Sequence, residues 1–241
     1  MFETEIKKLK EAINNANKIV VFSGAGLSTN SGIPDFRSAN GIYNEKVQAN
    51  VSPEEIISHS FFVKYPEDFY KFYFDKMVYP DAKPNSAHIY FAELEKTKNV
   101  TVITQNIDDL HQQAGSKNVI ELHGSIMRNY CMKCHKFYSL KDILGQTLPK
   151  CSCGGLIKPD VVLYEESLNE NDITKALNAI QEADLMIIVG TSLVVYPAAG
   201  FVRYFRGKNL VLLNKSTTAY DNNADIVIHE DVKLVVEELN K

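Results

Sequence analysis

No apolar run in this 241-residue sequence approaches the about 18 to 20 residues that a helix needs to cross a bilayer. The longest, residues 185–189 with their flanks, has the length of a strand, so a membrane-spanning chain is not expected. The N-terminus lacks both a hydrophobic signal core and a small-residue cleavage site, and Ile6, Leu9 and Ile13 recur among charges at helical spacing. That start predicts an N-terminal helix and a cytoplasmic protein. Basic charge is also in short supply: 26 Lys and Arg face 30 Asp and Glu, for a formal net charge of -4. No global field attracts a polyanion, which argues against nucleic acid as a partner, while basic, lysine-bearing partners are tolerated. Internal repeats and low-complexity linkers are absent. Cysteine is confined to four residues between Cys131 and Cys153. In a reducing compartment such a cluster points to a metal rather than to a disulfide framework.

What is present is an ordinary soluble composition, 45% hydrophobic and 23% charged, enough to build a buried core. Short β-branched runs recur at residues 19–22, 100–103, 119–122, 185–189, 210–213 and 226–228. They are continuously apolar rather than alternating, as strands covered on both faces are. Helix-length segments lie between several of them, such as 86–96 and 197–205. The alternation predicts an α/β fold with a doubly wound parallel sheet, whose ligand lies beyond the carboxyl ends of the strands. Two stretches interrupt it. Residues 38–83 are aromatic-rich and read as a helical insertion, and residues 126–156 carry the cysteines and read as a small metal-binding lobe. The whole of 1–241 is expected to form one domain carrying these inserts.

Chemistry-bearing residues cluster just after the strand runs. The first run enters Ser23-Gly24-Ala25-Gly26-Leu27-Ser28, a turn whose backbone amides suit phosphate. Thr29 stands where a third glycine would complete the dinucleotide fingerprint, which weakens an ordinary hydride-transfer reading. Gly32-Ile33-Pro34-Asp35-Phe36-Arg37 then puts a carboxylate, an aromatic ring and a guanidinium in one loop. The second run ends in Thr104-Gln105-Asn106-Ile107-Asp108-Asp109-Leu110-His111, and the third delivers His123-Gly124. Gly190-Thr191-Ser192-Leu193 follows the fourth, and Asn214 follows the fifth. Helix capping or local hydrogen bonding accounts for Asp109 and His111.

The blocks GAGLSTNSGIPDFR, TQNIDDLH, ELHG, four cysteines and GTSLVVYP resemble the sirtuin family in sequence and order, over nearly the whole chain from Lys18 to Asp231. The short termini and the block PNSAH resemble its compact bacterial and archaeal members. The resemblance implies a Rossmann-like fold and NAD-dependent removal of acetyl from protein lysine, releasing nicotinamide and O-acetyl-ADP-ribose. It implies that His123 is the base, a role histidine suits because its ordinary pKa of about 6.5 lies near neutrality. It places Asn106, Ile107 and Asp108 at nicotinamide and Gln105 at the ribose. Ala25, Thr29 and Arg37 come near the phosphates and ribose, with Phe36 shielding the reactive carbon. Gly190, Thr191, Ser192, Asn214 and the Asp231-Val232 pair fall on the adenosine side.

Substrate peptides would lie between the strand leading to Tyr164 and the segment Val194-Val195-Tyr196. Where the family usually has Phe-Gly-Glu, this chain has Tyr164-Glu165-Glu166, which bears on the path of that loop. Members that prefer acidic acyl groups carry Tyr-x-x-Arg, against Tyr73 and Lys76 here. Lysine lacks the bidentate fork, so acetyl is the expected acyl group.

Cys131 and Cys134, sixteen intervening residues, then Cys151 and Cys153 form two close pairs that suit a closed, structural, tetrahedral zinc site. Cys131 to His135 also spells C-x-x-C-H, a haem attachment pattern, but that reading lacks an export signal and leaves Cys151 and Cys153 unused. Two other functions remain to be weighed: ADP-ribosyl transfer to protein, using the same cofactor bond, and a zinc-ribbon binding module.

Overall fold

Strands that are apolar at every position are stable only where both faces of their sheet are covered. In the computed structural model, which describes residues 3–36, 41–42 and 51–241, the runs meet that condition. The described strands are β1 (Lys18–Ser23), β2 (Asn99–Thr104), β3 (Val119–Glu121), β4 (Gly124–Cys131), β5 (Phe137–Ser139), β6 (Ile157–Val161), β7 (Leu185–Val189), β8 (Asn209–Leu213) and β9 (Ile226–Ile228). The described α-helices are α1 (Glu3–Asn15), α2 (Pro53–Ile56), α3 (His59–Lys64), α4 (Pro66–Lys76), α5 (Ser86–Leu94), α6 (Leu110–Ala114), α7 (Leu140–Ile143), α8 (Glu170–Glu182) and α9 (Val232–Leu239). The helix expected over 197–205 is a 3-10 helix, Ala198–Tyr204.

Six strands form one parallel sheet in the order β3-β2-β1-β7-β8-β9. Successive side chains divide between its faces. Ile19, Val21, Leu185, Ile187, Val189, Val211 and Leu213 pack with α1, α5 and α9 on one side. Val20, Phe22, Met186, Ile188, Leu210 and Leu212 pack with Ala176 and Ile180 of α8 and with the 3-10 helix on the other. Each fully buried Phe or Ile contributes about 1.5 to 3 kcal/mol over its exposed state, so this double layer is the main stabilising mass.

A second sheet, antiparallel in the order β5-β4-β6, carries the cysteines. Its core is not its own. Phe62, Phe69, Tyr70 and Tyr73 of α3 and α4 pack with Ile126, Leu140, Ile143, Ile157 and Val161, so the aromatic helices and the cysteine lobe share one satellite core. The Tyr70 hydroxyl seals it by donating to the Ile157 carbonyl.

Candidate active site

The sheet order sets where a ligand can enter. The chain leaves β1 toward β2 and β3 on one side, then returns to build β7, β8 and β9 on the other. A crevice opens at the carboxyl ends where that reversal occurs. Here the β1 and β7 turns touch backbone to backbone, with the Gly24 amide donating to Val189 O at 3.1 Å and the Gly26 amide to Gly190 O at 2.8 Å. Gly190 takes φ +61°, and a Cβ on it would lie 2.2 Å from the Leu27 nitrogen. Only glycine permits this approach.

The end of β2 fills the floor with polar groups. Asn106 is buried, and its Nδ2 donates to Gly24 O and to Ser28 Oγ, both at 3.1 Å. Ser28 Oγ in turn donates to Asp108 Oδ2 at 2.6 Å, and Asp108 Oδ1 accepts the Leu110 amide at 3.0 Å. Burial raises the Asp108 carboxyl above its ordinary range, against the lowering effect of those two bonds. The floor is thus a buried amide and hydroxyl with a half-buried carboxyl in fixed relation, able to bond a carboxamide.

His123 stands beside it, just after β3. Its Nδ1 lies 2.8 Å from Gln105 O. A carbonyl only accepts, so Nδ1 carries the ring proton and Nε2 presents its lone pair. Among the described residues no hydrogen-bond partner occupies Nε2. Burial pulls the imidazole below its usual pKa, opposed by the Gln105 carbonyl, so the ring is neutral near pH 7. Gln105 also links across the crevice, its Nε2 donating to Thr191 Oγ1 at 3.1 Å.

The remaining candidates are distributed unevenly. Ala25 and Thr29 lie on the 3-10 helix Ala25–Ser31 above the glycine contact, with Thr29 Oγ1 donating to Gly26 O at 3.0 Å. Ile107 is half-buried against the satellite core, and Phe36 packs beside Ile42, Ile56 and Phe72. Ser192 is exposed after β7, whereas Thr191 is buried. Asn214 follows β8, and its Nδ2 donates to Ser216 O at 2.8 Å. Val232 points its side chain into the main core, leaving its backbone at the start of α9 for any contact. Arg37 lies outside the described residues.

Several participants escape sequence reading. Ser28 joins Asn106 to Asp108 although about 80 residues separate it from either. His111, assigned to local bonding by sequence, instead meets Ser23 Oγ through Nε2 at 3.0 Å across 88 residues, and its ring packs edge-on to His88. Asp109, for which helix capping or local hydrogen bonding is expected, occupies the N-cap position of α6 at φ 65° and bonds Gln113 locally, while the capping bond to the Leu110 amide comes from Asp108. At the departure from Phe-Gly-Glu, Glu165 keeps φ +73°, the region that favours glycine, and its carboxylate accepts the Ser60 amide at 2.9 Å. Glu165 thus adopts a left-handed conformation at a position where the family pattern has glycine. Tyr73 is fully buried with no partner for its hydroxyl among the described residues, and Lys76 pairs with Asp75 at 3.3 Å.

In the satellite lobe the sulfurs of Cys131, Cys134, Cys151 and Cys153 lie within 4.8 Å of one another. The pairs Cys131–Cys153, Cys134–Cys151 and Cys134–Cys153 are each 3.5 Å apart, well beyond a disulfide bond of about 2.0 Å. Amides of Lys133 and Cys134 point at Cys131 Sγ, and that of Cys153 at Cys151 Sγ, as suits thiolate acceptors. Gly155 leaves the space, because a Cβ there would lie 2.7 Å from Cys131 Sγ. The donor set fits zinc. Four thiolates close the site, so zinc would supply cross-linking of the two cysteine turns and no catalysis.

The comparisons agree with this geometry. A family model described as Sir2 family matches residues 24–197. The NAD-dependent protein deacetylase of Clostridium perfringens (strain 13 / Type A) is 59% identical over 238 residues, covering 97% of this chain and 98% of that protein. The protein of the same name from Staphylococcus aureus (strain N315) is 45% identical over 237 residues, covering 98% of each. A solved Sir2 with p53 peptide and NAD+ matches with a TM-score of 0.84 at 39% identity, covering 97% of this chain and 96% of that one. A Sir2 bound to acetylated peptide matches with a TM-score of 0.82 at 37% identity, covering 98% and 95%.

Proposed function

The chain belongs to the Sir2 family, and on that premise we propose that the crevice removes acetyl from protein lysine with His123 as the general base. It is an NAD-dependent protein deacetylase, releasing nicotinamide and O-acetyl-ADP-ribose. The observation that carries the role of His123 is its tautomer: the Gln105 carbonyl fixes the proton on Nδ1 and leaves Nε2 as an acceptor in the crevice.

NAD supplies a ribose carbon that nicotinamide can leave as the acyl-lysine amide oxygen arrives, and a ribose hydroxyl whose proton must be taken. His123 Nε2 takes that proton. Because burial keeps the ring neutral, the base is ready near pH 7 and is lost only on acidification. Asn106 and Asp108, tied together by Ser28, hold the nicotinamide carboxamide, with Ile107 against its ring. Phe36 keeps water from the reacting carbon, and Ala25, Thr29, Arg37 and Gln105 meet phosphate and ribose. Gly190, Thr191, Ser192, Asn214 and Val232 border the adenosine half. Peptides bearing acetyl-lysine lie between Tyr164 and the segment Val194 to Tyr196, where the side chains of Tyr164, Val194 and Tyr196 are exposed. Main-chain pairing there suits many sequences.

His123→Ala tests this. Turnover of an acetyl-lysine peptide should fall by about 10² to 10⁴-fold while NAD binding stays measurable by calorimetry. Unchanged turnover would remove His123 from its role. Mass analysis of wild-type products separates the alternative: free acetyl-ADP-ribose marks deacetylation, and an ADP-ribosylated protein marks transfer.

A further inference from the structure

Two residues, Leu122 and His123, carry the chain from β3 of the parallel sheet into β4 of the antiparallel one. At that crossing His123 is tied to both sides. Its ring Nδ1 donates to Gln105 O at 2.8 Å, on the side of the parallel sheet, and its own carbonyl accepts the Val162 amide at 3.0 Å, just beyond β6 of the other. Rotation of one sheet against the other would therefore pull His123 from one of these bonds. A guanidinium spans the crossing. Arg128 Nη1 donates to Glu121 Oε2 at the end of β3, and Arg128 Nε donates to Asp160 Oδ2 on β6, each at 2.7 Å. Its reach comes from an irregularity in β4: Ser125 pairs with Asp160 and Asn129 with Pro159, so Ile126, Met127 and Arg128 are extra residues opposite β6. Such a bulge bends its strand and re-aims side chains. Glu121 is fixed in turn, its Oε1 accepting from Gln112 Nε2 on α6 at 2.7 Å, and its side chain is only 11% exposed.

We propose that Arg128 is a positioning residue for the reaction, its guanidinium locking the crossing between the two sheets so that the His123 imidazole stays on Gln105 and presents Nε2 to the ribose. The proposal rests on the reading of His123 as the base, and Arg128 acts only through it. Two nitrogens of one planar group serve carboxylates from two sheets, a geometry that a lysine ammonium does not reproduce. The shelter of Glu121 sets this pair apart from fully exposed ones, which contribute little. The nicotinamide floor keeps a separate tie, the Ile126 amide donating to Ile107 O at 3.0 Å, which substitution of the Arg128 side chain leaves in place. Loss of the clamp should therefore reach the proton-taking step and spare the departure of nicotinamide.

Kinetics and NMR test the proposal separately. Arg128→Gln should lower kcat for an acetyl-lysine peptide about tenfold, less than the about 10²-fold that a 1 Å misplacement costs. With the same peptide, exchange of labelled nicotinamide into NAD needs only the first bond change and its reversal, and it should keep its wild-type rate, as should the KM for NAD. Glu121→Gln removes the charge across the crossing and leaves Arg128 on Asp160, so it should show the same split. The two substitutions together should lose no more than either alone, because both cut one interaction. In the cofactor-free protein the His123 Nδ1 proton should exchange with water about tenfold faster in Arg128→Gln than in the wild type, as local opening becomes easier. Equal losses in deacetylation and nicotinamide exchange would reveal a merely structural bridge and overturn the proposal, as would an unchanged kcat in both variants. Should Arg128→Gln fail to fold, Glu121→Gln decides on the same readings. If the wild type neither deacetylated the peptide nor exchanged nicotinamide, the reading of the crevice would fall, and the ring proton would still decide whether Arg128 holds His123: an unchanged exchange rate overturns the clamp.

Discussion

The two ends of the crevice are built in opposite ways. At the end assigned to nicotinamide, Asn106, Ser28, Asp108 and His123 are held by short bonds to one another or to backbone, without an ion pair among them. At the end assigned to adenosine, Asp231 joins Lys215 and Asn30 through side chains of which Lys215 is 63% exposed. The difference follows from what each end must do. Breaking a bond at carbon requires groups already oriented and shielded from water, since reorganisation would add to the barrier. Holding a flat, polar nucleoside requires only a surface in the right place, which wet ion pairs can provide.

Acid should expose the contrast most strongly. The buried wall behind the nicotinamide end contains His88 and His111, whose pKa values burial lowers to about 4 and about 3; for His111, the neighbouring His88 adds to the effect. Unfolded histidines bind protons near about 6.5. Above that pH both states are neutral and the stability is complete. As pH falls below it the unfolded chain takes protons that the folded chain refuses, so stability declines until the folded pKa values are reached. The loss should amount to several kcal/mol, on the order of one for each pH unit and group. Urea unfolding at stepped pH reads it, and His111→Gln should flatten the slope. Stability that stays constant from about pH 7 to about pH 4.5 would contradict the buried, neutral pair.

Asn106→Ala should have the next largest effect. It removes the donor to Gly24 O and Ser28 Oγ and frees Ser28 to rotate away from Asp108. Misplacing a prearranged site costs about 10²-fold in rate, and the loss should fall on kcat more than on the KM for NAD, whose adenosine contacts remain. An effect confined to KM would mean that both ends of the crevice only bind.

How much of this was legible depends on the distance over which each residue finds its partner. The six parallel strands were legible from their continuous apolar runs, because burial on both faces is written locally. His123, Gln105 and Asn106 were legible as polar groups immediately after such runs, and the cysteines from their spacing. Ser28 was not, since nothing in its own turn shows that it bridges two residues of a later strand end. The bond from His111 to Ser23 was hidden for the same reason, and local capping was a poor account of it. The shared core of the aromatic helices and the cysteine lobe depends on Phe62, Phe69 and Tyr70 meeting residues some 60 to 90 positions away, which no local period encodes. Glu165 shows the limit of residue identity: a left-handed residue occurs where glycine would be expected, with its carboxylate bonded to the Ser60 amide.

The smallest effect is the sharpest test of the wet end. Asp231 is a poor choice for mutation, because it also caps α9 by accepting the Lys233 amide, and its removal would mix helix stability with cofactor binding. Lys215→Ala removes only the ion pair and leaves that cap intact. Exposed pairs are worth about 0 to 1 kcal/mol, so the KM for NAD should rise no more than about fivefold, with kcat and thermal stability unchanged. Salt distinguishes this from a packing effect: at about 1 M, where the screening length falls to about 3 Å, wild type and variant should converge. A gap that survives high salt would mean that Lys215 acts by contact with the cofactor, and the adenosine end would then be organised more like its buried counterpart.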